Sequence, residues 1–121
     1  GAPHMVFGTP GGDMQDQVTL QFFLNYVHFG MNIQEALDAP TVFSLHFPSS
    51  FYPREAHPGH MVADSRIPND VIRGLKERGH IVDNTEAWSG GKPMGIRLHR
   101  DKGVIAGGVA PKGNIGYALG W

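Results

Sequence analysis

The residues best suited to chemistry are Gly11 and Gly12, within Val6-Phe7-Gly8-Thr9-Pro10-Gly11-Gly12-Asp13. The order of apolar residues, glycine-rich turn and long amphipathic run reads as strand, turn and helix. Pro10 fixes one backbone angle and removes a donor, while the two glycines let another group approach the main chain closely. Two adjacent, unhindered N–H groups ahead of a helix form a positive pocket for a negative oxygen. That oxygen can belong to a phosphate, a carboxylate or the tetrahedral intermediate of an acyl transfer. A plain tight corner uses the same residues. Two nucleotide motifs fail here: Gly12 is followed by Asp13 and Met14 rather than Lys and Ser or Thr, and the glycine spacing is not G-x-G-x-x-G.

Other side chains offer weaker constellations. The chain has seven histidines, with His57 and His60 three apart and His46 and Asp64 nearby. Pro58 and Gly59 prevent a helix there, so the spacing presents no defined ligand face, and no metal is assigned. Ser89, His80 and Asp83 compose a triad on paper, yet no G-x-S-x-G elbow holds the serine. Lys92, beside Gly90 and Gly91, reads as a solvated turn lysine. No residue pattern calls for a cofactor.

The elements that must position the turn follow from periodicity. Residues 4–7 read as a short strand whose partner would precede it, so the chain is expected to begin inside a sheet. Residues 13–29 are helical, with Leu20, Phe23, Leu24 and Val27 on one face and Met14 and Val18 extending that stripe, which is expected to be core. Asp13 and Asp16 favour the positive end of the helix, Asp13 also being a candidate cap, and Gly30 ends it. Asn32 and Glu35 form a capping-box pattern that opens a short helix closed by Pro40. Residues 41–45 are a strand, and 46–58 a proline-rich loop whose Phe47, Phe51 and Tyr52 suit packing on a neighbouring surface. A strand at 60–63 and a helix opened by Pro68 follow, with Val71, Ile72 and Leu75 inward and Gly79 at its end. Residues 80–82 form a strand, and 89–93 a turn. Met94, Ile96 and Leu98 alternate with Gly95, Arg97 and His99, giving one apolar face. Asp101-Lys102-Gly103 turns the chain into a returning strand at 104–109, and residues 113–121 are expected to dock near the sheet. The order β-α-α-β-loop-β-α-β-β-β implies an α+β fold with helices packed on an antiparallel sheet.

Composition bounds the rest. The 121 residues suit one domain, 1–121, and 40% are apolar against 17% charged, as in a globular protein. Net charge −1 with no Lys/Arg cluster argues against nucleic acid as the main partner. No apolar run approaches the ~20 residues of a membrane span. No signal peptide is visible, though a fragment would have lost one. Cysteine is absent, so disulfides play no part.

One ordered set of segments runs Gly8-Thr9-Pro10-Gly11-Gly12, the Gln- and Leu-rich helix, Asn25, Gly30-Met31-Asn32-Ile33-Gln34-Glu35-Ala36 and Asp38-Ala39-Pro40. The order continues with Lys76-Glu77-Arg78-Gly79-His80, Gly95-Ile96, Gly107-Gly108-Val109-Ala110-Pro111-Lys112-Gly113 and Gly116-Tyr117-Ala118. Taken together, these segments resemble the C-terminal part of the gamma-glutamyltranspeptidase small subunit. The resemblance spans nearly the whole chain and matches the branch with Asp after the glycine pair. It implies part of an N-terminal-nucleophile-hydrolase αββα sandwich, the C-terminal fragment of a larger enzyme. Such enzymes transfer the gamma-glutamyl group of glutathione and related amides to water or amino acids through an acyl-threonine.

The resemblance makes the Gly11 and Gly12 amides the oxyanion hole, with Thr9 and Pro10 positioning the loop. Thr9 stands where Ser is common in the family, and Asp13 where other branches carry Ser. Thr9, Thr19, Thr41 and Thr85 are all internal, so the nucleophile is expected upstream and the fragment alone inactive. Expected partners are the large subunit, the N-terminal part of the small subunit and a gamma-glutamyl substrate; an open sheet edge also permits self-association. Two alternatives stand beside this reading: an acylase of the same superfamily acting on glutaryl or cephalosporin side chains, and a non-catalytic assembly module using the 47–52 loop.

Overall fold

A computed structural model describes residues 1–111, 116, 117 and 119. Its elements are β1 Met5–Gly8, α1 Gln15–Val27, α2 Ile33–Asp38, β2 Val42–Ser44, β3 His60–Asp64, α3 Asn69–Glu77, β4 Ile81–Thr85, β5 Met94–His99 and β6 Val104–Val109. Their order and type follow the periodicity of the sequence, and the class is α+β. The chain divides into two compact units, Gly1–Ala39 with Gly91–Trp121, and Pro40–Gly90.

The first unit holds an antiparallel sheet of order β1-β5-β6. Contrary to expectation, β1 has its partner within the chain. Met5 faces Arg97 and Gly8 faces Met94, because the β5–β6 hairpin returns some ninety residues later to supply it. Both helices lie on one face of this sheet. Gly95 and Gly108 are opposite each other across β5 and β6. A Cβ on Gly95 would stand 2.9 Å from Cζ of Phe22 in α1, and one on Gly108 would stand 2.8 Å from Cδ1 of Leu37 in α2. The missing side chains are the space the helices occupy. Phe22, Ile33, Ala36, Leu37 and Ala110 form the core there.

This packing reverses the expected inward face of β5. Gly95 is buried, while Met94 and Ile96 are 46% and 48% exposed on the opposite face, beside Val6 and Ile105. The expected stripe on α1 is corrected for the same reason. Val18 and Phe22 are buried, whereas Leu20, Phe23, Leu24 and Val27 are exposed. A helix with apolar residues around most of its circumference has several candidate inner faces. The one that fits over glycine makes the core.

The second unit is a mixed sheet of order β2-β3-β4, with β2 antiparallel and β4 parallel to β3. The parallel pair arises because α3 carries the chain between β3 and β4. Ala63, Ile72 and Val82 form its core, with Leu75 packed against them, while Val71 faces outward. Pro68 occupies the cap position of α3 rather than its first helical residue. Asp64, 1% exposed, accepts from Arg66 Nε at 3.0 Å and Nη2 at 2.7 Å, and the guanidinium carbon lies 3.8 Å from the Trp88 ring centroid. This buried charge is paired and covered. The loop aromatics Phe47, Phe51 and Tyr52 remain exposed. Among the described residues no helix is long and apolar enough to cross a membrane. The expected docking of 113–121 falls largely outside the described residues.

Candidate active site

The strand β1 delivers Gly8-Thr9-Pro10 to an exposed turn, and Gly11 and Gly12 lead from it into α1. Gly11 has φ 143°, a conformation open to glycine and strained for any residue with a Cβ. The Gly12 carbonyl accepts from Gln15 N–H at 3.1 Å, closing the turn. Among the described residues, neither the Gly11 nor the Gly12 N–H donates a hydrogen bond. Both glycines are exposed, so the free donors carry no burial penalty. The cap position of α1 falls on Met14, not on Asp13, and it provides no side-chain acceptor.

The carbonyl sides of this turn are occupied. Thr9 Oγ1 donates to the Pro10 carbonyl at 3.0 Å and accepts from the Lys92 N–H at 3.1 Å. Lys92 therefore meets the turn through its backbone. Gln15 Nε2 donates to the Gly11 carbonyl. Gln15 was not singled out by sequence reasoning. Its signal is the spacing: a side-chain amide four residues after Gly11 reaches back one helical turn.

The other constellations do not assemble. Asp83 Oδ2 pairs with His60 Nε2 at 2.7 Å rather than with His80. Ser89 Oγ bonds Thr85 Oγ1 at 2.5 Å and the Glu86 carbonyl at 2.6 Å. His46 Nδ1 accepts from Gly59 N–H, and Asp64 is held by Arg66. Among the described residues no group of three or more His, Cys, Asp or Glu side chains could hold a metal ion. An open groove of about 670 Å³ lies elsewhere in the first unit, lined by His4, Tyr26, Met31, Asn32 and Arg97 among others, and it includes none of residues 8–13.

A family model described as gamma-glutamyltranspeptidase matches residues 1–119. The chain belongs to the gamma-glutamyltranspeptidase family. A glutathione hydrolase proenzyme of Pseudomonas sp. strain A14 is 46% identical over 128 residues, covering 97% of this chain and 20% of the relative. The chain spans about a fifth of the length of the curated relatives it matches. Among solved structures, LmbA2991HD is 39% identical with a TM-score of 0.91, over 98% of this chain and 21% of that one. A cephalosporin acylase from Bacillus halodurans is 30% identical with a TM-score of 0.72, over 88% of this chain and 18% of that one. The family is one of hydrolases and transferases, and the glycine turn lies inside the matched segment.

Proposed function

We propose that this chain is a segment of a larger gamma-glutamyl hydrolase or transferase, and that the Gly11 and Gly12 amides are its oxyanion hole. The observation that carries the reading is the pair of free N–H groups on a turn whose φ of 143° only glycine adopts comfortably. In the proposed reaction a threonine hydroxyl from polypeptide outside this chain attacks the gamma-glutamyl carbonyl. A C–O bond forms, the carbonyl electron pair moves to oxygen, and the two amides donate to that oxygen. Collapse of the intermediate restores the carbonyl, breaks the C–N bond and releases the amine, protonated by the group that took the hydroxyl proton. Water or an amino acid then takes the glutamyl group. Charge develops on oxygen only as the transition state is approached, so donors already in place lower the barrier rather than the ground state.

The rest of the enzyme completes the site. Two apolar surfaces support this: the Val6, Met94, Ile96 and Ile105 face of the first sheet, and the Leu20, Leu24 and Val27 side of α1. Neither is typical of a surface that stays in water. The isolated chain is expected to release no chromogenic amine from a gamma-glutamyl anilide, and appreciable turnover would contradict the reading.

The likeness to a cephalosporin acylase supports a second reading, in which the same turn serves a glutaryl or related side chain. Competition between gamma-glutamyl and glutaryl amides in the complete enzyme separates the two. Preference for the glutaryl amide would select the acylase.

A further inference from the structure

The two free amides are each aimed from behind. A peptide group is planar and trans, so its C=O and the following N–H point in opposite directions as one rigid unit. The N–H of Gly11 belongs to the peptide whose carbonyl is that of Pro10, and Thr9 Oγ1 donates to this oxygen at 3.0 Å. The N–H of Gly12 belongs to the peptide whose carbonyl is that of Gly11, and Gln15 Nε2 donates to that one. One side chain therefore sits behind each amide. We infer that Thr9 and Gln15 are positioning residues of the oxyanion hole, each orienting one amide through the carbonyl of the same peptide group. The inference rests on the oxyanion reading above.

Two physical effects follow. The first is direction: the Gly11–Gly12 peptide has glycine on both sides and the Pro10–Gly11 peptide has it on one, which leaves each plane room to rotate, and a hydrogen bond on the carbonyl restrains that rotation. The second is strength. A donor bonded to the carbonyl polarises the peptide and makes its N–H a better donor, by an amount on the order of 10–30% per bond. Thr9 is itself held, because its Oγ1 accepts from the Lys92 N–H at 3.1 Å, just ahead of β5. The hydroxyl thus has one defined donor direction. Gln15 takes its position from the first turn of α1. The two supports are independent, one from the β5 approach and one from the helix.

The test uses the complete enzyme, with kcat and KM measured for a gamma-glutamyl anilide. Removing an oxyanion donor costs about 10²–10³ in rate, and misaligning one forfeits part of that, so Thr9→Val and Gln15→Leu are each expected to lower kcat about tenfold or more. KM should stay within about twofold, since the amides act on the transition state. Thr9→Ser keeps the hydroxyl and should restore the rate. Gln15→Glu has no donor at neutral pH and should remain as slow as Gln15→Leu. Gln15 is exposed, so its variants are expected to fold even if Thr9→Val does not. Wild-type kcat in Gln15→Leu and Gln15→Glu, alongside a slow Gly11→Ala, would overturn the inference and leave the oxyanion hole standing. Thr9→Ser as slow as Thr9→Val would overturn the hydroxyl's role. Undiminished kcat in Gly11→Ala would remove the oxyanion hole itself, and the positioning roles with it.

Discussion

The first unit contains two helix starts that are built in opposite ways. At α2, Asn32 Oδ1 accepts from the Gln34 and Glu35 N–H groups at 3.0 Å, and Glu35 Oε2 accepts from the Asn32 N–H at 2.8 Å. Its orphan donors are sealed by the chain's own side chains. At α1 the cap residue Met14 supplies no acceptor, and the two amides ahead of it are free among the described residues. Side chains are present at this second start, but Thr9 and Gln15 bond carbonyls and leave the N–H side open. A sealed start contributes stability. An open one leaves its donors available, as the proposed oxyanion role requires.

That contrast is sharpened by substitutions with different readouts. The largest expected effect is on rate: Gly11→Ala in the complete enzyme should lower kcat by about 10²–10³, or ~3–4 kcal/mol of barrier. Its cost in folding stability should be smaller, on the order of 1–3 kcal/mol from the unfavourable φ, because the turn is exposed and the nearest atom to a Cβ is Gln15 Cγ at 3.7 Å. Steady-state kinetics beside thermal unfolding separates the two. Next, Gly108→Val should destabilise by about 1–3 kcal/mol through overpacking against Ile33 and Leu37, while kcat per folded molecule stays within about twofold. Opening the sealed start with Asn32→Ala should cost ~1 kcal/mol of stability and leave kcat unchanged. A kcat loss there as large as that of Gly11→Ala would erase the distinction between the two helix starts. The smallest effect is expected for Arg73→Ala. Its exposed pair with Glu77, at 4.0 Å, should be worth under about 0.5 kcal/mol in denaturant unfolding.

Two glycine pairs show how far the sequence could be read. Gly11-Gly12 was legible because its neighbours gave it a context: an apolar strand before, Pro10 within, an amphipathic run after. Gly95 and Gly108 are equally important to the fold and were not legible as a pair. Nothing local connects them. They meet only through the β5–β6 register, and their meaning is the space they leave for Phe22 and Leu37. Alternation along β5 drew attention to Met94 and Ile96 instead, since hydropathy registers side chains and cannot register a gap that another element fills. The same limit applies to α1, where Phe22 and Phe23 are equivalent by composition and only packing separates buried from exposed.

Local pattern alone determined the succession of elements, the capping box at Asn32 and Glu35, the hairpin at residues 101–103 and the glycine turn, because each depends on neighbours within a few positions. Family membership was legible too, through the order of motifs along the chain. Tertiary structure decided which strand pairs with β1, which face of β5 lies inward, that Asp83 joins His60 rather than His80, and that Gln15 stands behind Gly12. The physical reason is range. Backbone propensity and capping act along the chain, whereas pairing, packing over glycine and the aim of a side chain are settled by groups that folding alone brings together.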